Sequence, residues 1–271
     1  MFCPDLQSIT IDNYEETMTW RQFIPTVITL LAMLCGFFSM LLAIEGEQNF
    51  LLAAQFIMLA MVLDGLDGNV ARLMKGTSPF GAELDTYVDL TAFGLAPAML
   101  IYQVALQRHV DWRILMTSLV VLSGVIRLAR FKVHDPERGQ KGYCGLPITA
   151  SAGWVAIFVM LSETRVFSVI FQLGYGPVGV VFLAGVLVMI TLQVSNVRYP
   201  KPTKNPVIFI PCVIFVLLLF FKDSIVAPLA ALVILLFGVV YVVGGPFIAR
   251  AMKQRAAVAA NGTEIQDVDV I

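Results

Sequence analysis

The sequence predicts an all-α, polytopic membrane helix bundle of about eight transmembrane helices. Three observations carry that prediction. Of the 271 residues, 58% are hydrophobic and 14% charged, with a mean hydropathy of +0.83. Soluble domains average about 45–50% apolar and about 25% charged residues. Apolar runs of roughly 20 residues, the length that crosses a bilayer, recur along nearly the whole chain. These runs are continuously apolar and do not alternate with period two, which argues against a membrane β-barrel. The net charge of −1 points to no nucleic-acid partner. Cys3, Cys35, Cys144 and Cys212 are scattered without a CxxC pair and read as packing residues or free thiols.

Taken in order, the chain opens on MFCPDLQSITIDNYEETMTW, which lacks a basic region followed by an apolar one and is not expected to be a cleaved signal peptide. Residues 1–23 read as a cytoplasmic or interfacial N-terminal segment, with 1–13 expected to be mobile. YEETMTWRQF mixes polar and aromatic residues; either it lies in the interface with Trp20 at headgroup depth, or it is a plain connecting helix. A transmembrane domain over 24–249 follows, with apolar segments at 24–44, 50–73, 84–106, 112–131, 146–164, 167–193, 206–221 and 225–248. Pro25 and Pro147 sit near segment starts, where a missing N–H costs little. Residues 250–271 are expected to form a mobile cytoplasmic tail.

Lys and Arg set the orientation. With the N-terminus inside, the inner segments hold Arg21, Arg72, Lys75, Arg127, Arg130, Lys132, Arg138, Lys141, Arg198, Lys201, Lys204, Arg250, Lys253 and Arg255. The outer loops hold only Arg108, Arg113, Arg165 and Lys222. This bias places both termini and the aspartate stretch on the cytoplasmic side, and the membrane is expected to be the cell's inner one.

The chemistry concentrates in DGLDGNVARLMKGTSPFGAELDTYVD, residues 64–89. Asp64 and Asp67 are three apart, and Asp85 and Asp89 are four apart, so each pair shares a helix face. A short connection near 73–83 lets the two helices pack antiparallel and the four carboxylates converge. Four anions gathered at low dielectric repel strongly, and divalent cations relieve that repulsion. Oxygen donors without His or Cys select hard ions, Mg²⁺ or Mn²⁺. His109 and His134 lie elsewhere and read as surface residues. Gly65, Gly68 and Ala71 clear space for a neighbouring helix or for a flat ligand. Arg72 can fork onto a phosphate or snorkel to the interface, and Ser78 can donate to a phosphate oxygen. Two metals clamping a phosphoryl group, with a carboxylate accepting a proton, point to metal-dependent phosphoryl transfer on a lipid.

The pattern Asp64-x-x-Asp67-Gly68-x-x-Ala71-Arg72, then eight residues, then Gly81-x-x-x-Asp85-x-x-x-Asp89 resembles the signature of the CDP-alcohol phosphatidyltransferases. MVLDGLDGNVARL, SPFGAELDTYVDLTAFGLAPA, RLARFKV, the GLP of YCGLPITASAG, and VSNVRYP resemble the bacterial phosphatidylserine synthase branch, over residues 24 to about 250. The resemblance implies the fold of that family and a homodimer whose active site opens sideways to membrane lipids. It implies transfer of a phosphatidyl group from CDP-diacylglycerol to the hydroxyl of L-serine, giving phosphatidylserine and CMP. It implies that Asp64, Asp67, Asp85 and Asp89 bind divalent metal, with two ions expected, and that Asp89 is the general base. Gly68, Ala71, Arg72, Ser78 and Gly81 would line the CDP-lipid site, with Thr29 contacting the nucleotide from the first span.

The chain departs from its relatives at Thr26 and Ala32, where they carry asparagines, and at Thr86, Tyr87 and Val88 between two of the aspartates. These positions leave open another acceptor, such as inositol, inositol phosphate or glycerol phosphate; in a different class, intramembrane carboxylates would also suit an Mg²⁺ or proton transporter. Arg127 and Arg130 share a helix face just within an apolar run, where a charge needs a partner. One of them is expected to hold an anion, either the acceptor carboxylate or a donor phosphate.

Overall fold

The computed structural model describes residues 19–104, 110–134, 143–164, 167–168, 171, 173, 176–200, 206–221 and 226–268. The expectations for residues 1–18, and for His109, Arg138 and Lys141, lie outside the described residues. Within them, six helices are long and apolar enough to cross a membrane. Two more apolar helices are shorter, at 16 and 13 residues. The chain is an integral membrane helix bundle, as its apolar runs predict.

The first helix, α1 (Trp20–Glu45), starts four residues before the expected span. Thr19 precedes it, and the Thr19 N–H donates to Gln22 Oε1 at 3.1 Å, occupying a backbone donor beside the helix start. Helix α1 lies along α2 (Phe50–Leu73). Small residues buried on α1, among them Ala32, Gly36, Ser39 and Ala43, let neighbouring helix backbones approach closely. A Cβ on Gly36 would stand 2.5 Å from the Cα of Ala92, so only glycine fits there.

Helix α2 ends in a tight connection in which Lys75 adopts φ 52. Ser78 caps α3 (Pro79–Val88), accepting from the Gly81 N–H at 3.0 Å, and Pro79 occupies the first helical position. Helix α3 continues through a π-helical segment (Asp89–Leu95) into α4 (Ala96–Val104), making one apolar rod. Pro97 lacks the N–H that would bond the carbonyl four residues back, and the backbone widens in the turn before it. That widening starts at Asp89.

Helix α5 (Val110–His134) carries the basic set Arg127, Arg130 and Lys132. The sequence reading ends that span at 131; the helix runs three residues further. Helix α6 (Ile148–Glu163) is buried along most of its length and sits centrally, touching α2, α4, α7, α9 and the π segment. A helix apolar all round is what such a position requires. Two short strands, β1 (Tyr143–Cys144) and β2 (Arg198–Tyr199), pair antiparallel, with Tyr143 opposite Tyr199.

Helix α7 (Gly176–Val194) begins at a glycine with φ +81, nine residues after the expected start of its segment. Helices α8 (Pro206–Leu218) and α9 (Val226–Val268) complete the bundle. Helix α9 continues well past 248, where the apolar run ends. Gln55, buried in α2, donates to the Leu219 carbonyl at 2.8 Å and ties α2 to the end of α8.

Candidate active site

The aspartates gather as the spacing predicts, and then divide. One oxygen each from Asp64, Asp67 and Asp85 lies within 4.8 Å of the others. Asp89 stands outside that trio. Its Oδ2 lies 3.7 Å from the Arg127 guanidinium, whose side chain is only 6% exposed. The division follows from the helices. Asp64 and Asp67 project from α2 and Asp85 from α3, while Asp89 is the first residue of the π segment, next to α5.

Asp67 is buried, and the buried Thr29 hydroxyl stands 2.5 Å from its Oδ2. The same hydroxyl lies 2.9 Å from the Pro25 carbonyl. A threonine on α1 therefore sets the direction of a carboxylate 38 residues away. The trio offers only oxygen donors, one of them oriented by a neighbouring hydroxyl. That donor set suits a hard divalent cation.

The carboxylates line one end of a cavity of about 950 Å³. Gly68, Arg72, Thr86, Asp89, Arg127 and Lys132 border the same end. Arg72 donates to Asn69 Oδ1 at 2.8 Å, and Asn69 donates to the Gly65 carbonyl at 2.7 Å, so the guanidinium is braced by its own helix. Lys132 bonds Glu83 at 2.5 Å across the mouth, in an exposed pair. Ala71, Ser78, Gly81 and Thr29 do not line the cavity. Ser78 and Gly81 are engaged with each other at the α3 cap, and Thr29 reaches the site through Asp67.

The two arginines part company. Arg127 faces Asp89 and the cavity. Arg130 instead donates to the Val194 carbonyl and to Asn196 Oδ1, holding the C-terminal end of α7. Of the three altered positions between Asp85 and Asp89, only Thr86 lines the cavity; Val88 is fully buried in the core and Tyr87 is 58% exposed.

Tyr143 is a residue that sequence reasoning missed. It lines the cavity, and its ring lies 5.8 Å from the Arg127 guanidinium, as does the ring of Phe131. Burial pushes the Tyr143 phenol above its ordinary range, and the nearby Arg127 offsets this only in part, so it is a neutral O–H at physiological pH. Its one sequence signal was its place beside GLP in a resembling block. Asn69 was missed as well, because a polar residue between the motif positions carries no spacing signal.

The sequence matches the CDP-alcohol phosphatidyltransferase family over residues 22–195, and the chain belongs to that family. A CDP-diacylglycerol–serine O-phosphatidyltransferase of Helicobacter pylori is 34% identical over 211 residues, covering 77% of this chain and 84% of the relative. The Bacillus subtilis protein of that name is 32% identical over 185 residues, covering 68% and 93%. An archaetidylserine synthase of Methanothermobacter thermautotrophicus is 32% identical over 181 residues, covering 66% and 70%.

Proposed function

We propose that this protein transfers the phosphatidyl group of CDP-diacylglycerol to the hydroxyl of L-serine, giving phosphatidylserine and CMP. The names of the similar bacterial proteins support both substrates. The observation that carries the reading is the trio Asp64, Asp67 and Asp85 at the same cavity end as Asp89 and Arg127.

Asp64, Asp67 and Asp85 would hold divalent metal, with Asp89 completing the set when a second ion is present. Mg²⁺ or Mn²⁺, two ions in our reading, supplies charge that stabilises the entering and leaving oxygens at phosphorus. Arg72, braced by Asn69, binds the diphosphate as a planar fork. Gly68 and Ala71 keep α2 slim where the nucleotide lies, and Ser78 and Gly81 shape the start of the facing helix. The serine hydroxyl gives its proton to Asp89 as its oxygen attacks the phosphorus bearing the diacylglycerol. The bond from that phosphorus to CMP breaks, and CMP leaves. Arg127 holds the serine carboxylate while Tyr143 keeps the guanidinium in place. The active site faces the cytoplasm of an inner membrane, as the distribution of Lys and Arg argues, and the protein works as a homodimer.

The test is CMP release from CDP-diacylglycerol in detergent, with serine, inositol, inositol phosphate and glycerol phosphate supplied separately. Release with serine, abolished by chelator and restored by Mg²⁺ or Mn²⁺, is expected. Release only with another acceptor overturns the serine assignment, and full turnover in metal-free protein overturns the metal role.

A further inference from the structure

Arg127 is buried, and 3.7 Å separates its guanidinium from Asp89 Oδ2. That distance suits an ion pair and is too long for a hydrogen bond. Aromatic faces therefore share in directing the guanidinium, and two rings stand 5.8 Å from it, those of Phe131 and Tyr143. Phe131 is carried by the same helix as Arg127. Tyr143 is not. It sits on β1, in a ladder that pairs Tyr143 with Tyr199 and Cys144 with Arg198. Two residue pairs do not make a stable sheet alone, so what fixes Tyr143 lies outside the ladder.

Support comes from two directions. On one side, the chain just after β1 is tied to the end of α7. The Gly145 N–H donates to the Val197 carbonyl at 2.8 Å, and the Leu146 N–H donates to the Leu192 carbonyl at 3.0 Å. Gly145 has φ +81, and a Cβ there would stand 2.4 Å from the Gln193 carbonyl oxygen. On the other side, β2 is clamped to α9. Tyr241 on α9 donates to the Pro200 carbonyl at 2.9 Å, and Tyr199 donates back to the Val242 carbonyl at 3.3 Å. Their ring centroids are 5.6 Å apart. Tyr199 is fully buried, and a Cβ on Gly245 would stand 2.8 Å from its ring, so α9 is fitted closely to it.

The clamp reaches the cavity. Directly opposed residues of an antiparallel pair place their side chains on one face, and Tyr143 opposes Tyr199. Tyr143 and Tyr241 both pack against the buried cluster of Leu146, Met189 and Tyr199, and both line the cavity. Tyr199, Pro200 and Tyr241 all lie beyond residues 22–195, the part of the chain that matches the family.

We infer that Tyr241 and Tyr199 are positioning residues for the acceptor: they clamp α9 to β2 and so fix, through the paired strand β1, where Tyr143 meets Arg127. The inference rests on the reading of Arg127 as the cation that holds the serine carboxylate. A guanidinium binds a carboxylate through a planar fork whose direction matters. Loosening the clamp lets Tyr143 shift, and the fork then loses one of the faces that aims it. The donor diphosphate is held at Arg72, which is braced by its own helix, so donor binding does not depend on the clamp.

The test is a double-mutant cycle on steady-state kinetics. KM for serine and for CDP-diacylglycerol is measured in wild-type protein, Tyr241→Phe, Arg127→Lys and the double variant. Tyr241→Phe keeps the ring and removes one hydroxyl. It should raise the serine KM by about 2–10-fold, the range that one net hydrogen bond supplies, and leave the donor KM unchanged. In the Arg127→Lys background the same change should add little, because residues that act through one another are not additive. Tyr199→Phe, which deletes the longer bond, should show the same pattern more weakly. An unchanged serine KM in both tyrosine variants, an equal rise in the donor KM, or additivity with Arg127→Lys overturns the positioning role and leaves the transferase reading intact. Absence of CMP release with serine in wild-type protein overturns the serine reading, and the positioning role falls with it.

Discussion

Thr29→Val keeps the shape of a buried side chain and deletes one hydroxyl. That hydroxyl is 2.5 Å from Asp67 Oδ2, and both residues are 5% exposed, so water does not readily take its place. A hydrogen bond to a charged group contributes about 1.5–3 kcal/mol. At 1.36 kcal/mol per factor of ten, this corresponds to roughly 10–150-fold in an equilibrium constant. Loss of a group that orients a metal ligand costs about 10–100-fold in metal affinity, and the two estimates overlap. We therefore expect the Mg²⁺ or Mn²⁺ concentration for half-maximal CMP release to rise about 10–100-fold in Thr29→Val. Activity at saturating metal should largely recover, and Thr29→Ser, which keeps the hydroxyl, should behave nearly as wild type. The assay is a metal titration at fixed, saturating CDP-diacylglycerol and serine. An unchanged metal requirement with a raised KM for the donor would refute the argument and return Thr29 to the role that the family resemblance implies, contact with the nucleotide.

Three further outcomes follow from the site. Asp89→Asn keeps size and removes the base, so kcat should fall by about 10²–10⁴-fold; donor binding should suffer less than in Asp64→Asn, and near-normal turnover would place the proton acceptor elsewhere. Arg127→Lys should raise the KM for serine with little change in donor affinity, since an ammonium lacks the planar fork. Arg130→Lys should instead lower the melting temperature in detergent, because Arg130 holds the end of α7; a serine KM effect confined to Arg130 would reverse the assignment. A cysteine replacing Thr77, in the exposed connection between α2 and α3, should resist an impermeant reagent in intact cells and react once they are opened, and labelling from outside would disprove the orientation.

The membrane class and the motif were legible without coordinates because both are written locally. A bilayer demands some 20 apolar residues in succession, so α1, α2, α5 and α9 announce themselves one at a time. The spacings of Asp64 to Asp67 and of Asp85 to Asp89 are helix spacings, and a helix brings such pairs to one face whatever surrounds it. The short connection between them leaves little choice but an antiparallel return.

What local pattern could not decide was which groups meet across the bundle. Arg127 and Arg130 are equivalent by periodicity, yet one faces Asp89 and the other caps α7, because helix termini from elsewhere in the chain pass one and not the other. Thr29 reads as one polar residue in an apolar span until α1 is laid on α2 and its hydroxyl reaches Asp67. Asp89 reads as the fourth member of a set until Pro97 and the π segment give the rod a local geometry that no i, i+4 rule describes. The cavity is walled jointly by α8, α9 and α6 and by α2, which lies more than 100 residues earlier in the chain than α8 and α9. Contacts of that kind are settled by packing many weakly directional apolar surfaces at once, and they leave no periodic trace in the chain that makes them.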